Sequence, residues 1–128
     1  MRSLLFIPAH KINYVDKLKK NSYPDAIAFD LEDSVPKNKK DDGVAKIQNY
    51  LNKINNFNNQ IYTRIDIEDI KLYKTLKKIV HRKLTGIILP KINSREDILN
   101  FCYPIIFFIF WNRVFQIKSY SIRITIFF

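Results

Sequence analysis

The sequence predicts an α/β fold built on a parallel sheet. Three observations carry this: short apolar runs bounded by breakers, apolar residues at helical spacing between them, and polar residues gathered just past each run. Continuous apolar runs of strand length fit strands buried on both faces. Strands alternating with helices in units of roughly 30 residues build a parallel sheet with crossover connections. A doubly wound sheet and a (β/α) barrel both fit this order.

Leu4-Leu5-Phe6-Ile7, closed by Pro8, is the first predicted strand, and Tyr14, Val15 and Leu18 make a short helical stripe after it. Ala26-Ile27-Ala28-Phe29 is the second strand. Val44, Ile47, Leu51 and Ile54 follow at helical spacing, with Asp41 and Asp42 where acids favour a helix N-terminus. The third strand is Ile61-Tyr62-Thr63-Arg64-Ile65, and Ile70, Tyr73, Leu76 and Val80 suggest the helix that returns from it. Gly86-Ile87-Ile88-Leu89, closed by Pro90, is the fourth. Ser94 can cap a last helix whose first turn carries Glu96 and Asp97.

Composition bounds the function. The chain has 128 residues, at most one ordinary domain, and 47% of them are hydrophobic, enough for a core. Its net charge of +10 permits attraction to an anionic partner. The lysines, however, are spread over helix-like stretches such as Lys17, Lys19, Lys20 and Lys71, Lys74, Lys77, Lys78, which reads as solvated helix faces. The tyrosines do not interleave with a basic patch, so no nucleic-acid partner is expected. Gly43 and Gly86 are the two glycines, which excludes a Gly-rich dinucleotide loop. Cys102 stands alone, so no internal disulfide is possible, as suits a reducing compartment. Leu4 to Ile7 is too short for a signal-peptide core, and a cytoplasmic location is expected.

The character changes at about Phe101, dividing the chain into residues 1–100 and a tail, residues 101–128. Pro104 to Trp111 is apolar and is ended by Asn112 and Arg113. A membrane helix needs about 20 apolar residues, so no membrane span is expected. A buried strand and a non-native stretch after a frameshift both remain open readings, and alternation returns at Ser121 to Ile126.

The chemistry-bearing candidates sit where strands end. Asp30-Leu31-Glu32-Asp33-Ser34-Val35 places three carboxylates directly after a buried strand, where unpaired acids repel and are costly to desolvate. A cation, a bound water or an arginine must meet them. Hard cations such as Mg²⁺ prefer such oxygens; salt bridges to nearby lysines such as Lys37 are the competing reading. Extended alternation puts Asp30 and Glu32 on one side, with Asp33 able to turn. Arg64, inside an apolar strand, can grip a carboxylate or carbonyl bidentately, or form a structural pair with Asp30 or Glu32. His10 and Lys11 follow the first strand, Asp66 the third and Lys91 the fourth. His10 and His81 lack metal-ligand partners at useful spacing, and His81 is expected at the surface. In a parallel α/β fold all these strand ends fall on one face, where ligands bind.

Four blocks, Arg2-Ser3-Leu4-Leu5-Phe6-Ile7-Pro8, Asp30-Leu31-Glu32-Asp33-Ser34-Val35, Thr63-Arg64-Ile65-Asp66 and Gly86-Ile87-Ile88-Leu89-Pro90-Lys91, resemble the citrate lyase β-subunit family of the HpcH/HpaI aldolase superfamily. They occur in that family's order over residues 1–99. The resemblance implies a partial (β/α) TIM-type barrel of about four N-terminal βα units with an irregular apolar C-terminal tail. It implies a Mg²⁺-dependent carbon–carbon lyase acting on a 3-hydroxyacyl thioester of coenzyme A or an acyl carrier. Arg64, Glu32 and Asp33 are then the catalytic candidates; Arg64, Asp30, Lys11 and Lys91 would meet substrate, with Lys11 toward the carrier's phosphates. Glu32 and Asp33 would orient metal-bound waters, because segments resembling the family's direct ligands are not found after Leu99.

Two positions depart from the family pattern. Ala9 replaces a glycine, and Asp66 replaces an asparagine, which is expected to set a negative charge beside Arg64. A full barrel takes about 200 residues or more, so a truncated chain that is inactive on its own is expected. Half a barrel leaves open sheet edges and favours a homo-oligomer or a lyase complex. A non-catalytic thioester-binding subunit and an association module using the aromatic tail are the alternative functions.

Overall fold

All four apolar runs become strands, and their register follows from where each run starts. In the computed structural model, which describes residues 1–18, 24–55, 59–92, 94–97, 99–100, 103 and 123–126, β1 spans Leu4–Pro8, β2 Ala26–Asp30, β3 Gln60–Arg64 and β4 Gly86–Leu89. β1 pairs parallel with β2, β2 with β3, and β3 with β4. β5, Arg123–Ile126, within the stretch of renewed alternation, pairs parallel with β4. The apolar run from Pro104 to Trp111, and Cys102, lie outside the described residues.

Strand order runs β1-β2-β3-β4-β5 without reversal. A doubly wound sheet reverses its order at a switch point and carries helices on both faces. Here Ile7, Ile27, Phe29, Ile61, Ile87 and Leu89 face one way and form a single core with Val15, Val44, Ile47, Leu51, Leu76 and Ile79 from the connecting segments. Ala26, Ala28, Tyr62 and Ile88 form a separate, smaller cluster on the opposite face, with Leu4 against it. Sequential parallel order with helices on one side is the arrangement of a partial βα barrel, whose other face turns inward.

The connections differ from expectation in two places. After β1 the chain forms a 3-10 helix, Ala9–Lys17, kinked at Lys11. Val15 is buried, but Tyr14 is exposed. Ala9 is fully buried against Gly43 of helix α1, Lys40–Lys53. A Cβ on Gly43 would lie 3.0 Å from Ala9 Cβ and 3.2 Å from Leu31 Cδ2, so this glycine is set by close approach. α1 buries Val44, Ile47 and Leu51 as the spacing predicts, with Asp41 and Asp42 in its first turn. Ile54 falls just beyond the helix as its C-terminal cap. Tyr50 meets Phe29 edge-on, with ring centroids 5.2 Å apart.

Helix α2, Leu72–Ile79, uses a different stripe from the one predicted. Leu76 and Ile79 are fully buried and Leu72 packs against them, whereas Ile70 is 98% exposed and Tyr73 is exposed. Two side-chain turns cause the shift. Asp66 Oδ1 accepts the amide of Glu68 at 3.0 Å, and Asp69 Oδ1 accepts that of Lys71 at 2.9 Å. These local bonds hold residues 66–71 out of the helix, which starts later than the periodicity suggests. The predicted cap at Ser94 forms: Asp97 N–H donates to Ser94 Oγ and Ser94 N–H to Asp97 Oδ2, both at 3.0 Å.

Candidate active site

Register brings the acids and the arginine together. Pro8, Asp30, Arg64 and Ile88 are aligned across β1 to β4, so Asp30 and Arg64 are direct neighbours at the C-terminal ends of β2 and β3. Both belong to the face of the sheet away from the helices, where side chains alternate with the helix-facing core. Arg64 Nε donates to Asp30 Oδ1 at 2.8 Å and Nη2 to Oδ2 at 2.7 Å, a bidentate pair. Phe6, on the same face of β1, lies under the guanidinium, with Arg64 Cζ 5.1 Å from its ring centre.

Asp30 is 1% exposed and each of its oxygens is spoken for. Oδ1 also accepts the Glu32 amide at 2.9 Å, and Oδ2 accepts the Ser34 hydroxyl and the Ser34 amide. Burial alone would raise its pKa. Hydrogen bonds from Arg64, Ser34 and the Glu32 amide outweigh that, and the carboxyl lies below the ordinary range. The loop after β2 is thereby wrapped around one buried carboxylate.

Wrapping turns Glu32 inward and Asp33 outward. Glu32 is 5% exposed. Its Oε2 lies 3.1 Å from Arg64 Nη1, and its Oε1 lies 3.1 Å from Lys91 Nζ. Oε2 nevertheless takes no directed hydrogen bond, because the Nη1 contact is an ion contact rather than an aligned N–H bond. Asp33 is exposed and lies 3.4 Å from Lys91 Nζ. Glu32 and Asp33 together hold the Lys91 ammonium above its usual pKa. Lys91 has φ 56°, the one positive φ at a non-glycine among the described residues. That left-handed conformation costs a side-chain-bearing residue free energy and aims Lys91 back toward the acids.

Asp30, Glu32, Asp33, Arg64 and Lys91 are thus one cluster, assembled at the C-terminal ends of three strands, β2, β3 and β4. The structural-pair reading of Arg64 holds, with both acids named for it: it pairs with Asp30 and touches Glu32. Lys37 is not the lysine that meets the acids; Lys91 is. Asp66 does not lie beside Arg64 as expected: it pairs with the Lys40 ammonium, and its pKa, which burial alone would raise, is brought down by Lys40 and the Glu68 amide. Lys11 is exposed at the kink after β1 and does not join the cluster. His81 is only partly exposed, its Nδ1 accepting the Lys83 amide at 3.2 Å.

Residues 2–105 match the sequence model of the HpcH/HpaI aldolase/citrate lyase family. The chain belongs to that family. A search of curated proteins gave no match. HpcH/HpaI family members are lyases, generally dependent on a divalent metal.

The cluster fits such a metal in one restricted way. Among the described residues no three His, Cys, Asp or Glu side chains converge into a cage for an ion. Asp30 is consumed by Arg64. Yet three carboxylates against two cations leave one formal negative charge, and Glu32 keeps a buried oxygen without a hydrogen bond. Mg²⁺ retains several of its waters in proteins, and Glu32 and Asp33 suit the holding of such waters.

Sequence reasoning missed three contributors. Ser34, four residues after Asp30, was recognisable as a cap for the loop. Phe6 was recognisable only with the register in hand, and Lys40 with Asp66 only from the fold. Among the described residues no helix is long and apolar enough to cross a membrane.

Proposed function

We propose that this chain contributes the first βα units of a Mg²⁺-dependent carbon–carbon lyase of the citrate lyase β type. Its substrate would be a 3-hydroxyacyl thioester, citryl, malyl or citramalyl in kind, carried on coenzyme A or an acyl carrier. The supporting observation is the guanidinium of Arg64, held flat by Asp30 and Phe6 at the C-terminal rim of the sheet with a quarter of its side chain exposed. Guanidinium has five N–H donors. Asp30 takes one from Nε and one from Nη2, and Glu32 lies against Nη1. One N–H on Nη2, and the two on Nη1 that Glu32 touches without an aligned bond, are left to meet an incoming oxygen.

In the proposed reaction the bond between C2 and C3 of the acyl group breaks. The C3 hydroxyl loses its proton and becomes the keto oxygen, and the electron pair stays on the acetyl thioester as an enolate, which then takes up a proton. When bound, Mg²⁺ would supply Lewis-acid stabilisation of the developing oxygen charge. Arg64 would hold the substrate carboxylate or the keto oxygen. Glu32 and Asp33 would fix the waters of the metal, and Asp30 would keep Arg64 in plane. Lys91 and Lys11 would face the substrate's anionic groups, Lys11 those of the carrier. Assembly as a homo-oligomer or within a lyase complex belongs to the same proposal.

Incubating the full chain with citryl-, malyl- or citramalyl-coenzyme A and Mg²⁺, and following acetyl-coenzyme A by chromatography, tests this reading. Metal-dependent release from one of the three is expected. Coenzyme A binding without turnover, unchanged by chelator, would instead identify a non-catalytic thioester-binding subunit.

A further inference from the structure

Helices α1 and α2 both run from the rim of the sheet toward its other end, because each links the C-terminal end of one parallel strand to the start of the next. Charge is sorted along that direction. α1 opens with Asp41 and Asp42 and closes with Lys53. α2 is preceded by Glu68 and Asp69, closes with Lys77 and Lys78, and is followed by Arg82. Between Asp69 and Glu96 the chain has no acidic residue. Cations suit helix C-termini, but each terminus carries only about half an elementary charge. Lys53, Lys77, Lys78 and Arg82 exceed the two termini they follow. Lys83 is spent locally, its ammonium donating to the carbonyls of Asn52 and Ile54 at the end of α1.

Among the described residues no ion pair engages Glu68, Asp69, Lys74, Lys77, Lys78 or Arg82. The same surface carries apolar area: Ile70 is 98% exposed and Tyr73 49%. Tyr73 with Lys77, and Lys74 with Lys78, are spaced four apart on the side of α2 away from buried Leu76 and Ile79. An acidic start, an apolar middle and a basic end are complementary to the same helix turned end for end. A two-fold axis makes that match, since one patch then meets itself reversed.

We propose that α2 docks antiparallel on α2 of a second copy of this chain, across a two-fold axis near Tyr73 and Lys74. Glu68 and Asp69 of one copy then lie beside Lys77 and Lys78 of the other, twice over. Ile70 covers the stem of Lys77, and Lys74 faces the ring of Tyr73. This deepens the assembly part of the proposed function and rests on that part, not on the chemistry. Eight helical residues span about 12 Å, and exposed ion pairs each contribute little, so the dimer is weak and salt-sensitive.

Sedimentation velocity of the full chain over a range of concentrations tests the seam. Two charge-reversed proteins are compared, both altered only at exposed positions: Glu68→Lys with Ile70→Lys, and Lys77→Glu with Lys78→Glu. Each alone sets like charges together across the axis and should weaken self-association by at least about tenfold. Mixed in equal amounts, with circular dichroism verifying both folds, they should associate at least about tenfold more tightly than either does alone. Wild-type association should also weaken as salt is raised. Self-association that neither variant weakens, variants that stay apart on mixing, or a wild type monomeric at every concentration would overturn the proposal. A dimer of this kind that cleaves no thioester would uphold it while removing the lyase reading, and a monomer that cleaves one would do the reverse.

Discussion

Asp30 and Arg64 carry the account at the scale of single residues. Breaking a buried pair by removing one partner strands a charge and costs about 3–5 kcal/mol. Arg64→Met should therefore lower stability by about 3 kcal/mol in urea unfolding, because Asp30 is 1% exposed and would keep only Ser34 and a backbone amide. Ser34→Ala removes one bond to a charged oxygen and should cost about 1–2 kcal/mol by the same measurement. The acid limb of stability follows from the same groups. His10 is held below its ordinary pKa by burial and by Lys11, Lys39 and Lys46, and His81 by burial and by Lys83 and Arg82. The unfolded chain therefore binds protons at these histidines before the folded one does, and stability falls as pH drops below about 6.5. Asp30 and Asp66 are depressed as well, so a second, steeper loss begins below about pH 4, where unfolded carboxyls protonate first. Melting temperatures across pH 3–8 check both limbs, and Asp30→Asn should flatten the lower one.

Among the elements, α1 is seated by one missing side chain. Gly43→Ala gains helix propensity, about 1 kcal/mol, but its methyl would meet Ala9 Cβ at 3.0 Å, and Ala9 is fully buried with no rotamer to yield. Overpacking costs about 1–3 kcal/mol, so Gly43→Ala should be destabilising alone and stabilising when combined with Ala9→Gly. A double-mutant cycle with favourable coupling of about 1 kcal/mol or more is the expected result. In α2, Leu76→Ala should cost about 2–5 kcal/mol, whereas Ile70→Ser, at the exposed turn just before the helix, should cost less than about 0.5 kcal/mol. The four strands were legible because each is a continuous apolar run ended by a breaker or a charge. α1 was legible because Val44, Ile47 and Leu51 have no rival period. The start of α2 was not, because Asp66 and Asp69 each close a turn with their own backbone, and a hydrophobic count does not see hydrogen bonds.

At the scale of the whole molecule, the sheet is what converts sequence spacing into a site. Asp30 and Arg64 meet because β2 and β3 pair in parallel with those two residues opposite each other. From the sequence, the acids and the arginine could be assigned to one rim once parallel strands were inferred. Lys91 reaching back 58 residues to Asp33 could not, since that contact depends on a backbone turned left-handed after Pro90. Likewise, no local pattern reveals that Lys40 rather than Arg64 neutralises Asp66. Strand order was the other silent quantity: doubly wound and barrel arrangements share the same local signals, and it is the unreversed order with one-sided helices that separates them.

Arg64→Lys decides whether this rim is built for thioester cleavage. Lysine keeps the charge but loses the flat bidentate fork. Steady-state cleavage of the preferred 3-hydroxyacyl-coenzyme A by wild type and Arg64→Lys, with Mg²⁺ saturating and folding verified by circular dichroism, is the direct measurement. Oxyanion-holding groups contribute about 10²–10³ in kcat, and a loss of that order with the fold intact is the predicted result. Equal turnover by the two proteins would contradict a role for Arg64 in the chemistry.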